Sequence, residues 1–266
     1  MNKGSDKNRN KFAWLYLLVV AFSFLLSVMA FAPARWLGQL LEQQSKGRLS
    51  LMDADGTLWR GAASLGIAAS ANEPVMLLLP GRFQWQLSPL LLIGRVNFRL
   101  ANAESLSHPL LLTGSWQQWQ LGKASLLIPA ERLVGMGAPL NTLALSGRIR
   151  VMWDDLRASA KGGQVELHGA ITFAMDDIAS RMSPIKPLGN YRLDTVWQGQ
   201  QATLNLSALQ GPLLLQGDRM FKNGRIQFAG TADAAPGQEE KLANLLNLLG
   251  QRRQQGGENV IAFEFK

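Results

Sequence analysis

Cysteine is absent from the sequence, which excludes disulfides, zinc–thiolate centres and thiol nucleophiles. An oxidising compartment is therefore permitted without being required. Histidine is nearly absent too. His108 precedes Pro109 in a serine-rich loop, His168 occupies a polar position in a strand-like run, and no HxxxH-type spacing links them. Charge is sparse, at 17% of residues against 47% hydrophobic, a ratio that points to a lipid-facing part. Acidic residues are the scarcer sign, leaving a net charge of +8. Much of that excess is local: Lys3, Lys7, Arg9 and Lys11 face only Asp6 at the start of the chain. The other arginines are dispersed, and no stretch interleaves basic and aromatic side chains, so the sequence gives no nucleic-acid groove. Glycine and proline stand at ordinary levels, 26 and 11, which excludes wholesale disorder.

One long hydrophobic run is present. Phe12 to Phe31, FAWLYLLVVAFSFLLSVMAF, holds 20 residues without charge, glycine or proline. A helix of that length crosses a hydrocarbon core of roughly 30 Å. Ser23 and Ser27 can bond back to helix carbonyls, and Trp14, Tyr16 and Trp36 fall where interfacial aromatics are expected. The competing reading, a cleaved signal peptide, has a shorter apolar region and a small-x-small site, matched here only by Ala30-Phe31-Ala32 before Pro33. The run therefore reads as an uncleaved anchor. The basic head places the N-terminus in the cytoplasm and the rest in the periplasm of a Gram-negative cell. The expected organisation is a cytoplasmic head over 1–11, a transmembrane helix over 12–31, an amphipathic linker or helix over 32–48, and a periplasmic β-rich domain over 49–266. In the linker, Trp36, Leu37, Leu40 and Leu41 share one helical face.

From Leu49 the apolar period changes from 3.6 to 2. GRFQWQLSP alternates Phe83, Trp85 and Leu87 with Arg82, Gln84 and Gln86, and GRVNFRLAN repeats the pattern with Val96, Phe98 and Leu100. NYRLDTVWQG, ATLNLSAL and GRIQFAG follow it, with turn signals at Pro80-Gly81, Gly162-Gly163 and Asn223-Gly224. Such spacing predicts a curved antiparallel β-sheet domain with one or two short covering helices. An internal echo joins LSGRIRVMWDD (145–155) to LHGAITFAMDD (167–177), suggesting strands laid in succession along one sheet, each Asp pair opening a turn. Helical punctuation is expected at PAERLVGMG, between Pro129 and Gly135. A clearer helix is expected at EEKLANLLNLLGQRR, where Leu242, Leu245, Leu246 and Leu249 form a stripe, Glu239 and Glu240 suit the start, and Gly250, Arg252 and Arg253 suit the end. A final strand is expected with Ile261, Phe263 and Phe265 on one face.

Chemistry is hard to find. Asp154-Asp155 and Asp176-Asp177 are adjacent pairs, and neighbours on a strand point to opposite faces, so neither pair converges on one substrate atom. GMGAPL (135–140) offers Leu140 where a dinucleotide loop needs its third glycine, and neither a P-loop nor GxSxG occurs. No catalytic, cofactor-binding or metal-binding residues are assigned. An envelope hydrolase would need a convergent acid, base and nucleophile that the pattern does not supply.

The stretch DADGTLWRG, 53–61, reads as a tight turn at Asp53, Asp55 and Gly56. A strand then follows with Thr57, Trp59 and Gly61 on one face and Leu58 and Arg60 on the other, making Trp59 a core residue. A short basic head, one apolar anchor, FAPARWL and DGTLWRGAASL together resemble protein N of the type II secretion system, the general secretion pathway protein N family. WQLSPLLLIGRV (85–96), SPIKPLGNYRLD (183–194), LQGPLLLQGD (209–218) and LANLLNLLG (242–250) extend the resemblance along nearly the whole chain. It implies an accessory, non-enzymatic inner-membrane component of the machine that exports folded proteins across the outer membrane. Its implied partners are other inner-membrane subunits and the outer-membrane secretin. Gly56, Thr57, Trp59 and Gly61 are motif positions expected to serve fold geometry, with partner binding as the second reading. A second reading is an AsmA-like envelope protein whose sheet handles lipid. That reading needs a long apolar face left uncovered, whereas a closed domain covers it with its own helix.

Overall fold

The alternating runs form strands because each places one apolar row against a core and one polar row in water. The computed structural model describes the backbone except at 1–4, 71–72, 138–139, 163, 223–224, 227, 250, 256–257 and 266. It describes the side chains except at those positions and at 5–13, 219–229 and 249–266.

Two helices precede the sheet, α1 (Ser5–Ala30) and α2 (Arg35–Gln44). The strands then begin with β1 (Leu49–Gly56), β2 (Arg60–Ile67), β3 (Met76–Leu77), β4 (Phe83–Leu87), β5 (Arg95–Ala101) and β6 (Leu110–Ser115). Next come β7 (Gln118–Leu121), β8 (Ala124–Pro129), β9 (Leu145–Trp153), β10 (Leu156–Lys161) and the long β11 (Gln164–Ser180). The series ends with β12 (Gly189–Gly199), β13 (Gln201–Gln210), β14 (Leu213–Lys222), β15 (Arg225–Ile226), β16 (Phe228–Ala234), β17 (Gln251–Gln255) and β18 (Glu258–Phe265). A 3₁₀ turn over Ala130–Met136 and a short α3 (Leu140–Leu143) follow β8, and α4 (Glu239–Leu249) follows β16. The helical pattern expected to run through Arg253 stops at Leu249, and β17 begins at Gln251. The shared face of Ile261, Phe263 and Phe265 and the Asn223-Gly224 turn lie outside the described residues. The strands flanking that turn pair Lys222 with Arg225.

Every described pairing is antiparallel, and the path is an open meander. β1 pairs with β2, β2 with β4, then β4–β5–β6–β7 in succession. β7 meets β10, and β10 and β9 share one edge of β11. The order continues β12, β13, β14, β16, β18, β17. One face is mainly apolar, with Leu87–Phe98–Leu112–Leu121–Leu156 as a cross-strand row. The other is polar, with Asn97–Thr113–Gln120–Arg157–His168–Gln198–Gln201 as its counterpart.

The internal echo has a structural meaning. Its two copies are β9 and β11, which pair directly. Gly147 of the first copy lies where a Cβ would come within 2.8 Å of the Asp176 and Asp177 carbonyls, and Gly169 of the second where one would come within 3.0 Å of the Asp155 carbonyl. Each glycine thus makes room for the other copy's Asp pair. Asp154-Asp155 forms the expected break between strands. Asp176-Asp177 does not: it is a bulge inside β11, with Asp177 at φ +55 and the register shifting on both sides. Aspartate tolerates the left-handed region, so the residue that favours a turn also favours a bulge. Arg148 clamps this bulge through Asp177 at 2.8 Å.

The apolar face is packed at its two ends. Toward the C-terminus, Leu242 and Leu245 of α4 are fully buried against Tyr191, Leu206, Leu213 and Ala232. The Tyr191 hydroxyl donates to the Leu213 carbonyl at 3.0 Å, and burial pushes its pKa well above the ordinary value. Toward the N-terminus, Ala34, Ala63 and Trp85 form a smaller core flanked by Leu37 of α2, Leu51 and Phe98. Between the two, the row through Phe98, Leu112 and Leu121 is only half-buried.

α1 packs differently from the other helices. Its side chains from Trp14 to Met29 are largely bare, with Trp14 at 69% and Phe24 at 70% exposure. The part of it with described side chains, 14–30, is about 25 Å long, less than a hydrocarbon core of roughly 30 Å. Among the described residues no helix is long and apolar enough to cross a membrane.

Candidate functional site at the corner beside α1

The corner is made by DGTLWRG and the segment leaving α1. Leu58 N–H donates to the Ala32 carbonyl at 2.8 Å and Ala34 N–H to the Gly56 carbonyl at 3.1 Å. Thr57 N–H donates to the Arg60 carbonyl at 2.8 Å, and the Thr57 hydroxyl accepts from Arg60 N–H at 3.2 Å. Residues 57–59 are therefore the turn joining β1 to β2, and the strand expected from Thr57 starts at Arg60. Asp53, expected in that turn, sits instead in a bulge of β1 at φ +51. Arg82 clamps that bulge, donating to the Asp53 carbonyl at 2.7 Å and to Asp55 Oδ2 at 2.6 Å.

Of the two tryptophans expected to face the core, only Trp85 is buried there. Trp59 is half-exposed, and its indole N–H donates to the Met29 carbonyl, the last turn of α1, at 2.9 Å. Trp85 is the core residue, at 4% exposure, with its indole N–H donating to the Leu58 carbonyl at 3.2 Å. Its ring lies directly over Gly61, where a Cβ would come within 2.3 Å of it. Gly61 is glycine because the indole fills its side-chain space. Trp59 instead ties the apolar helix to the sheet.

Two adjoining cavities open on the polar face beside this tie. One, of about 520 Å³, is lined by Arg60, Gln84, Gln86 and Arg99. The other, of about 610 Å³, shares Arg60, Gln86 and Arg99 and reaches Ala30, Trp59 and Asn97. Arg60, Gln86, Arg99 and Leu111 form one cross-strand row. Strand spacing sets the two arginines about 10 Å apart at the backbone, with Gln86 between them. Ion pairs among the described residues join Arg82 to Asp55, Lys123 to Asp154, Arg148 to Asp177 and Arg192 to Asp194. Arg60 and Arg99 have no carboxylate partner among the described residues. The single acid lining these cavities, Asp55, is held by Arg82. The site is cationic, and it can hold an anion.

The other residues weighed from sequence are scattered. His108 Nδ1 is hydrogen-bonded to the neighbouring Ser107 hydroxyl at 3.1 Å, and His168 lies on the solvated polar row. No cluster of three His, Asp or Glu side chains suited to a metal occurs among the described residues. The Arg60–Arg99 row was missed because alternation alone assigns Arg95, Asn97 and Arg99 to one face of β5 without saying which residue on β4 or β2 they meet.

No curated protein and no solved structure matches the chain. The family model for type II secretion system (T2SS), protein N, matches residues 47–260. That span covers the whole strand series up to the first residues of β18, including the corner. The chain therefore belongs to the type II secretion system protein N family.

Proposed function

We propose that this chain is an accessory, non-enzymatic inner-membrane component of the type II secretion machine, anchored by α1 with its β-domain in the periplasm. It supports export of folded proteins by docking other inner-membrane subunits and the secretin. The observation that carries the placement is the bareness of α1. Its apolar side chains from Trp14 to Met29 are largely exposed, whereas α2 and α4 each bury a face. A contiguous apolar surface of that extent is stable against lipid and unfavourable in water. The sequence continues the apolar run to Phe12, which completes the length of a span.

Because the chain has no cysteine, single substitutions report topology without background. In intact spheroplasts a membrane-impermeant maleimide is expected to label Gln201→Cys and to leave Asn2→Cys unlabelled until lysis. Equal labelling of both would end the anchor reading. Photocrosslinking in cells from exposed β-domain positions then tests docking, with secretion-system subunits as the expected captures.

A second reading is favoured by the half-buried apolar row Phe98–Leu112–Leu121 between the two packed ends. α4 covers only its own end of the sheet. A face left open in this way accommodates acyl chains, as an AsmA-like lipid-handling role requires. Capture mainly of phospholipid or lipopolysaccharide from that row would replace the docking role with this one.

A further inference from the structure

We infer that the corner from which α1 emerges lies on the bilayer surface and binds the phosphate of an anionic phospholipid between Arg60 and Arg99. The inference rests on α1 being a membrane anchor, and two independent observations carry it further. The first is the cationic cavity. Arg60 and Arg99 flank Gln86 in one row, both are exposed, and the cavity wall includes Ala30, the last residue of α1. If α1 is spanning, Ala30 sits at the headgroup layer, so the two guanidinium groups lie at phosphate depth. Arginine forks match phosphate oxygens in geometry as well as charge.

The second observation is apolar and comes from separate loops. The 3₁₀ turn Pro89–Ile93 leaves the end of β4 beside Trp59, where Leu87 N–H donates to the Trp59 carbonyl at 2.7 Å. It exposes Leu90, Leu92 and Ile93, the last at 72%. Trp116, in the β6–β7 turn, is 60% exposed, and its indole N–H donates to the Leu91 carbonyl at 2.7 Å. Phe31, just past α1, is 77% exposed. Three separate segments thus put large apolar side chains at the end of the sheet where the helix leaves. An indole beside aliphatic side chains suits the interfacial layer, and arginines directly behind them suit anionic headgroups. An acidic protein partner would use the arginines but gives no reason for the exposed Leu90, Leu92, Ile93 and Trp116 around them.

The test uses the full chain in nanodiscs of equal phosphatidylcholine and phosphatidylglycerol, with a benzophenone amino acid at Gln86 and mass spectrometry of the adducts. Phosphatidylglycerol adducts are expected to exceed phosphatidylcholine adducts by about tenfold, falling to parity in the Arg60→Gln/Arg99→Gln variant and only part-way in Arg60→Lys/Arg99→Lys, which keeps the charge without the fork. A nitroxide at Ile93→Cys is expected to report a shallow position inside the bilayer. Insertion into discs with no lipid adduct at Gln86, or with equal capture of the two lipids, overturns the headgroup site and leaves the anchor standing. Failure of the chain to insert at all overturns both. Capture of a protein instead of lipid at Gln86 in cells, with no adduct in discs, assigns the arginines to an acidic partner and overturns the inference.

Discussion

At the α4 end of the sheet, two leucines of one helix are sealed beneath strands β12 to β16, and a buried tyrosine hydroxyl is bonded to backbone. At the α1 end, a single indole stacked on a glycine holds a much smaller core. The rest of that corner is backbone pairing, an arginine clamp and one indole bond to the helix. The first end is an ordinary covered sheet. The second turns its apolar side chains outward, on α1, Phe31, Ile93 and Trp116, and carries two arginines with no carboxylate partner among the described residues. Buried packing is concentrated at one end, and exposed apolar and cationic side chains at the other.

Trp85→Ala is the strongest way to break that contrast. Removing a fully packed indole costs about 3–5 kcal/mol. The small core has nothing else of that size, so amide exchange of the full chain in detergent should rise across β1 to β5 and stay low in β12 to β14. Leu242→Ala, at about 3 kcal/mol, should do the reverse, loosening α4 and its strands while the corner stays protected. Simultaneous loss of protection at both ends in either variant would show one cooperative unit. Trp59→Phe sharpens the comparison. It removes one partly solvated hydrogen bond worth about 1 kcal/mol. The expected outcome is an unchanged sheet with faster proteolysis at 30–34, where the helix joins it. A loss of stability as large as that of Trp85→Ala would restore Trp59 to the core.

The sequence pattern disclosed the strands because burial on one face writes a period of 2 into the chain, and disclosed α2 and α4 because their stripes are equally regular. Register left no such trace. Alternation turns both Trp59 and Trp85 inward, and the pairing of Gly61 with Trp85 shows why only the second is inside. Asp53 and Asp177 read as turns because aspartate accepts a left-handed backbone, a need that bulges share. The LxGxI…DD echo was visible, but its purpose needed the two copies side by side, each glycine clearing the other's aspartates. The Arg60–Gln86–Arg99 row spans three strands and was out of reach for the same reason.

The smallest expected effect concerns the polar face of the well-packed end. Asp194 accepts from Arg192 Nε at 2.7 Å and from the Thr172 hydroxyl at 2.6 Å. The Arg192 hydrogen bond, with help from Thr172, holds its carboxyl below the usual range against a smaller opposing effect of burial. A depressed native pKa means that the ionised form stabilises the fold above the unfolded carboxylate pKa of about 3.9. That contribution is lost as pH falls through the lower native value. Both partners are about half exposed, at 51% and 41%, so solvent screening keeps the contribution within about 0–1 kcal/mol. Asp194→Asn should therefore leave the melting temperature at pH 7 nearly unchanged and flatten its decline below pH 4. A steeper acid decline in the variant would mean that the pair does not stabilise this face and that the carboxylate is tolerated there only because water reaches it.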